Sequence, residues 1–259
     1  MTAGPHVSPR MSTGKLRVLR AAARLVATGL GLGAAAYAGS AAYSWYRYGS
    51  PWPAVNDDAD ALLDRFMPAY EVVERHGVRV RAPAAITLAA ARDQDLLASP
   101  VVRAVFKARG VALGSRPDER ATPRPLIPQM LSLGWGILVD VPDREIVMGA
   151  VTKPWEPNPR FRAIGPGQFA DFNDPEYVKI VWSLRADPLG PDESMFRTET
   201  RAVATDAFAR LKFRRYWALV SPGVALIRQA SLGPLKAEAE RRGSTAGRAR
   251  VPSQATIPE

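Results

Sequence analysis

The sequence predicts an α+β protein, and three observations carry that expectation. Residues 70–81, YEVVERHGVRVR, alternate with the period of a half-buried strand. Two later pairs of strand-like runs each flank a short Pro-containing turn, as antiparallel hairpins do. From Thr205 onward, Phe213, Tyr216, Trp217, Val220, Val224 and Ile227 fall at helical spacing and form an apolar stripe able to cover a sheet.

In chain order, residues 1–24 are basic, and 25–46, LVATGLGLGAAAYAGSAAYSWY, carry no charge over the length of a membrane-crossing helix. Lys15, Arg17, Arg20 and Arg24 precede this run, while Tyr43, Trp45, Tyr46 and Tyr48 gather at its far end. That order suits a single span with a cytoplasmic N-terminus and an extracytoplasmic body. Two alternatives stand beside it. The small residues at 36–42 could end an export signal removed by cleavage. The run could also be an amphipathic helix lying on a membrane or on another part of the protein. Gly29, Gly31 and Gly33 lack the strand that a dinucleotide-binding loop requires in front of it. Gly29 and Gly33 instead fit a small-xxx-small contact, through which two such helices could self-associate.

Residues 47–66, with Pro51, Pro53 and the acids up to Asp64, form a linker. The first strand places Val72, Glu74, His76, Val78 and Val80 on one side, with Arg75, Arg79 and Arg81 on the other. A helix follows from Ala84 to about Leu97. A second opens with Ser99 as cap before Pro100 and ends at Gly110. Pro117, Pro123, Pro125 and Pro128 mark residues 115–128 as a loop. Trp135–Val141 and Glu145–Lys153 make the first hairpin, a short strand is expected at Arg160–Ile164, and Tyr177–Asp187 with Glu193–Ala204 make the second. In that second pair Val178, Ile180, Trp182 and Leu184 share a face with Phe196, Thr198, Thr200 and Ala202. Lys179, Arg185, Arg197, Glu199 and Arg201 then lie outside, as cross-strand pairs in solvent. On the last helix Arg210, Arg214 and Arg228 lie away from the stripe. Pro222 should kink it, Gly233-Pro234 should bend or break it, and 242–259 read as a disordered tail.

Composition narrows the function. Absence of cysteine in the 259 residues excludes disulfides, thiolate metal sites and thiol nucleophiles, and two histidines, His6 and His76, exclude a multi-histidine centre. Net charge is +10, but its excess lies at the ends: residues 1–50 carry six Lys/Arg and no acid. The nearly neutral body between them argues against a nucleic-acid partner. The sequence has no GxSxG, HExxH or P-loop and calls for neither cofactor nor metal. Asp171, Asp174 and Glu176 beside Pro175 suit a turn better than a cation site.

A strand, two helices, an antiparallel run and one long amphipathic helix is an uncommon order. With HGVRVRAPAAITLAAARD (76–93), MGAVTKPW (148–155), FRTETRAVA (196–204) and KFRRYWALVSPGVALIR (212–228), the chain over residues 67–241 resembles the START-like superfamily (SRPBCC, helix-grip), which includes polyketide cyclases and lipid-transfer domains. These segments look like those of its membrane-anchored bacterial branch. The resemblance implies a sheet gripping the last helix and, between them, a cavity for an apolar small molecule or lipid. Residues facing that space would be His76, Trp182, Thr198, Thr200, Tyr216, Trp217 and Val220. Glu74 and His76 are the candidates for proton transfer, as in a cyclase or dehydratase, because burial among valines can shift their pKa. Against this, each could be a satisfied structural group, and the cavity could be filled by side chains in a non-catalytic membrane assembly factor.

Overall fold

Five antiparallel strands form one curved sheet in the order β1-β5-β4-β3-β2, with a long C-terminal helix across its concave face. The computed structural model describes residues 13–50, 60–115 and 125–250. The strands are β1 (Val72–Val80), β2 (Gly136–Val141), β3 (Glu145–Thr152), β4 (Val178–Gly190) and β5 (Glu193–Ala204). The helices are α1 (Thr13–Arg47), α2 (Ala61–Phe66), α3 (Ala84–Arg92), α4 (Pro100–Leu113), α5 (Leu126–Ser132), α6 (Pro166–Phe169) and α7 (Ala207–Arg250). The helix-grip arrangement expected from the element order is therefore present.

Both hairpins form as their alternation requires. β2 and β3 turn at residues 142–144, where Asp143 takes a positive φ of 59°, and β4 pairs β5 with Trp182 opposite Thr200 and Leu184 opposite Thr198. β1 does not pair with its neighbours in sequence but joins the far side of β5, setting Glu74 opposite Thr200 and His76 opposite Thr198. The expected strand at Arg160–Ile164 shrinks to one bridge, Val151 to Arg162.

On the concave side Val80, Leu88, Ile146, Met148, Trp182, Leu184 and Phe196 pack with Leu235 and Ala239 of α7. The convex side differs from expectation. Part of the supposed linker is α2, capped by Asp60 Oδ1, which accepts from the amides of Leu62 and Leu63 at 3.1 and 2.9 Å. Leu63, Phe66 and Met67 bury themselves against Val147, Val181 and Phe169. Gly149 permits this, since a Cβ there would lie 2.8 Å from the Phe169 ring. The outward charges Glu199 and Arg201 are consequently 5% and 2% exposed, beneath α2 rather than in solvent.

The helix ends show packing overriding local signals. Ser99 caps α4 as expected, but the helix passes Gly110 and stops at Gly114, whose φ of 66° is left-handed. α5 occupies residues expected as loop, and 116–124 lie outside the described residues. α7 runs unbroken through Pro222 and Pro234 to Arg250, so Gly233-Pro234 neither ends it nor starts a tail at 242. Burial of Leu235 and Ala239, together with Arg242 bound to Asp93 and Glu238, holds the segment that composition alone would release. Residues 251–259 lie outside the described residues.

The N-terminal run requires a correction. No described helix is long and apolar enough to cross a membrane. Half of 25–46 is Ala and Gly, which contribute little hydropathy. The later part of α1 lies instead against α7. Tyr37 Oη donates to the Leu219 carbonyl, Ser221 Oγ meets Ser44 Oγ at 2.7 Å, and Tyr48 stacks edge-on to Phe213. Arg214, expected to be idle on the outer face, donates from Nη2 to the Trp45 carbonyl at 3.0 Å and covers the Trp45 indole at 4.2 Å, closing the α1 C-terminus. Among the described residues, nothing comes within van der Waals reach of a Cβ built at Gly29 or Gly33.

These contacts separate two helix-stripe substitutions. Trp217 packs with Phe213, ring centroids 6.0 Å apart, and is half-buried. Trp217→Ala should cost about 3 kcal/mol. Arg214→Ala should cost about 1 kcal/mol rather than nothing. Denaturant midpoints for the two variants check the ranking, and equal midpoints would contradict the facing described for α7.

Candidate functional site

Residues from three elements meet on the concave face beside the β1 edge. β1 supplies Glu74 and His76, β5 supplies Thr198 and Thr200, and α7 supplies Arg228. Strand alternation puts the first four on one side of the sheet. Arg228 reaches them because it sits four residues after Val224 and seven before the buried Leu235, on the sheet-facing side of the helix. The expectation that Arg228 points away from the stripe is thus wrong. Its charge suggested solvent, whereas its spacing already placed it inside.

Arg228 Nη1 donates to Thr198 Oγ1 at 3.3 Å, and Nη2 donates to Thr200 Oγ1. Burial holds the guanidinium below its ordinary pKa, opposed by the Glu74 carboxylate. Each threonine hydroxyl that accepts from Arg228 keeps its own proton for another acceptor. His76 Nε2 is buried without a hydrogen-bond partner, 3.3 Å from Glu74 Oε2 but not aligned with it. Unlike the buried Val72 and Val80 at the strand's ends, Glu74, His76 and Val78 are half-buried along the β1 edge. Trp182, opposite Thr200, closes the apolar wall behind them.

The remaining expected residues sit elsewhere on the helix. Tyr216 and Trp217 join Phe213 in an aromatic group near Val72 and Val178. They lie about 17 Å along α7 from Arg228, at 1.5 Å per residue. The Tyr216 hydroxyl accepts from Arg109 Nε at 3.2 Å. Val220 is half-buried between the two groups. In the turn before β4, Asp174 pairs with Arg162 and Glu176 with Lys153, each acid with its own cation.

A hollow of about 220 Å³ opens on the convex face among Asp60, Arg75, Ser183, Arg185, Arg197 and Glu199, and His76, Gly77, Met195 and Thr198 also line it. Ion pairs dominate it: Asp187 accepts from Arg185 at 2.8 Å and Arg197 at 2.6 Å, and Glu199 accepts from Arg75 at 3.0 Å. At its margin Glu145, 3% exposed, is pushed up to about 8 by burial and then by the Asp60 carboxyl. This wall is charged and suits an apolar ligand poorly.

No family model matches the sequence, and no curated protein matches it. Several solved structures have a related outline. A hypothetical protein from Helicobacter pylori is 10% identical over 72% of this chain and 99% of its own, with a TM-score of 0.37. A START superfamily protein from Mycobacterium smegmatis is 12% identical over 67% and 98%, with a TM-score of 0.28. The Zhui aromatase/cyclase from a Streptomyces species is 16% identical over 68% and 98%, with a TM-score of 0.28. At such scores the function rests on the geometry of this chain.

Proposed function

We propose that the protein binds an apolar molecule ending in an oxygen-rich, preferably anionic, head, as a fatty carboxylate or an acidic polyketide does. The head lies at Arg228 and the body runs along the wall that includes Trp182. The supporting observation is a guanidinium inside the concave face, oriented by two threonine hydroxyls. Glu74 balances the guanidinium when no ligand is present, and the half-buried β1 side chains mark the entry.

The test is titration of the full chain with cis-parinarate, a fluorescent polyene carboxylate, and with the corresponding alcohol. Hydrogen bonds to a charged group contribute about 1.5–3 kcal/mol. Arg228→Met should therefore weaken the carboxylate by roughly 10–100-fold and the alcohol far less. Absence of binding to the natural sequence, or equal affinities before and after substitution, would refute this reading.

A second reading, a cyclase- or dehydratase-type enzyme in the same space, is favoured by one observation, the unpartnered His76 Nε2 beside Glu74. An imidazole so placed can take a proton from a carbon acid and pass it to the carboxylate. His76→Gln separates the two readings. A binder should lose about 1 kcal/mol of affinity. An enzyme acting on a poly-β-ketone should lose turnover by roughly 10²–10⁴-fold with affinity nearly intact.

A further inference from the structure

The face of α7 opposite the sheet is also apolar. Phe208, Leu211, Leu219 and Leu226 fall on one side of the helix and are 53%, 47%, 45% and 48% exposed. Nothing among the described residues covers them. A second stripe of large side chains on a helix already buried along its first has no use in a folded body alone. The charge around it is one-sided. Beside it α7 carries Lys212, Arg214 and Arg215 and the adjoining α4 carries Arg103, Lys107 and Arg109, while α4 and α7 as far as Ala237 contain no Asp or Glu; of the nearby acids, Asp206 caps α7 and Glu71 pairs with Arg210. Both α4 and α1 pack on α7, α4 through Arg109 on Tyr216 and α1 through the contacts with Leu219, Ser221 and Arg214. At one end of the stripe Lys212 Nζ lies 4.0 Å from the Phe208 ring centroid, and Arg214 covers the Trp45 ring, so cations and aromatic rings alternate as they do at a lipid headgroup layer.

We infer that this face docks on an anionic bilayer surface, with the α7 stripe entering the headgroup–acyl boundary and the surrounding Lys and Arg meeting lipid phosphates and carboxylates. The charge complementarity selects this occupant, because a protein partner would need an acidic rim and an apolar centre at once, while an anionic bilayer presents both everywhere. Attachment of this kind needs no helix to cross the membrane. It leaves the opposite side of α7, where Arg228 lies, facing the sheet.

The experiment is flotation of the full chain with phosphatidylcholine vesicles, with and without phosphatidylserine. The expected result is binding to the phosphatidylserine vesicles that weakens as salt rises, since screening shortens the reach of the basic side chains. It should be released by alkaline carbonate. Leu219→Glu combined with Leu226→Glu should weaken it by roughly tenfold or more, with an unchanged thermal midpoint and unchanged cis-parinarate titration. Four results would overturn the proposal. One is no binding to either vesicle. Another is wild-type binding by the double variant, or retention through carbonate, either of which would make α1 the attachment. The last is a dimer in sedimentation equilibrium that the double substitution splits, which would make a second copy the occupant.

Discussion

Replacing Arg201 with Ala should destabilise the protein by about 3–5 kcal/mol, the usual cost of leaving a buried ion pair with one partner. Arg201 is 2% exposed on the convex face. Its Nε donates to Glu199 Oε1 at 2.7 Å, and its Nη1 donates to Asp64 Oδ1 at 2.6 Å and to the Met67 carbonyl at 2.9 Å. The Tyr70 ring lies 4.6 Å from the guanidinium carbon. Removing the side chain leaves the Met67 carbonyl without this donor, takes one cation from the buried Glu199 and unfastens α2 from the sheet. Arg79 provides the contrast. It makes a geometrically good pair with Glu193, 2.5 Å from Nε to Oε1, but its side chain is 65% exposed, and solvent screens the pair. Urea midpoints should fall sharply for Arg201→Ala and stay in place for Arg79→Ala. If the two variants behaved alike, α2 would not be held in the way described.

The second large effect depends on pH. Glu145 is pushed up to about 8, chiefly by burial, then by Asp60, with Arg185 opposing. Between the ordinary carboxyl pKa and about 8 the folded chain therefore binds more protons at this site than the unfolded chain. Stability must fall as pH rises through that window. Above it the site is ionised in both states and the full penalty remains, on the order of 5 kcal/mol. Glu145→Gln keeps the shape without the titration. Its unfolding free energy should match the natural sequence near pH 4.5, exceed it at pH 8.5, and show a flatter pH dependence between. Parallel curves for the two proteins would mean that Glu145 ionises normally.

Much of the fold was legible because strand alternation and hairpin turns are local. The facing of Val178, Ile180, Trp182 and Leu184 with Phe196, Thr198, Thr200 and Ala202 needed only the period of two and the position of the turn. α2 was not legible. ALLDRF is too short for a helical period to register, and its Asp60 cap follows an acidic run that reads as solvent-exposed chain. Glu199 and Arg201 read as solvent-facing for the same reason, since nothing local announces a helix laid over them. In the candidate site, Glu74, His76, Thr198 and Thr200 followed from alternation. Arg228 does not, because a guanidinium reads as solvent-facing although its spacing from Val224 and Leu235 places it inside. Gly233-Pro234 likewise reads as a helix breaker from local signals alone. Tertiary burial on both sides of it outweighs the hydrogen bond lost at proline.

The pairing of β1 with β5 has a consequence for how the molecule comes into being. Val80 lies opposite Ser194 and Val72 opposite Ala202, partners separated by more than a hundred residues of chain. The β2–β3 and β4–β5 hairpins need only short loops, whereas β1 can dock only after most of the sequence exists and a very long loop has closed. Glu74 and His76 meet Thr198 and Thr200 at that closure, and Arg228, farther along still, arrives with α7. No nascent or truncated chain that ends before β5 can hold the head of a ligand. Binding competence is therefore a property of the completed chain, and a ligand present during synthesis would meet its site only when the last strand and helix have left the ribosome.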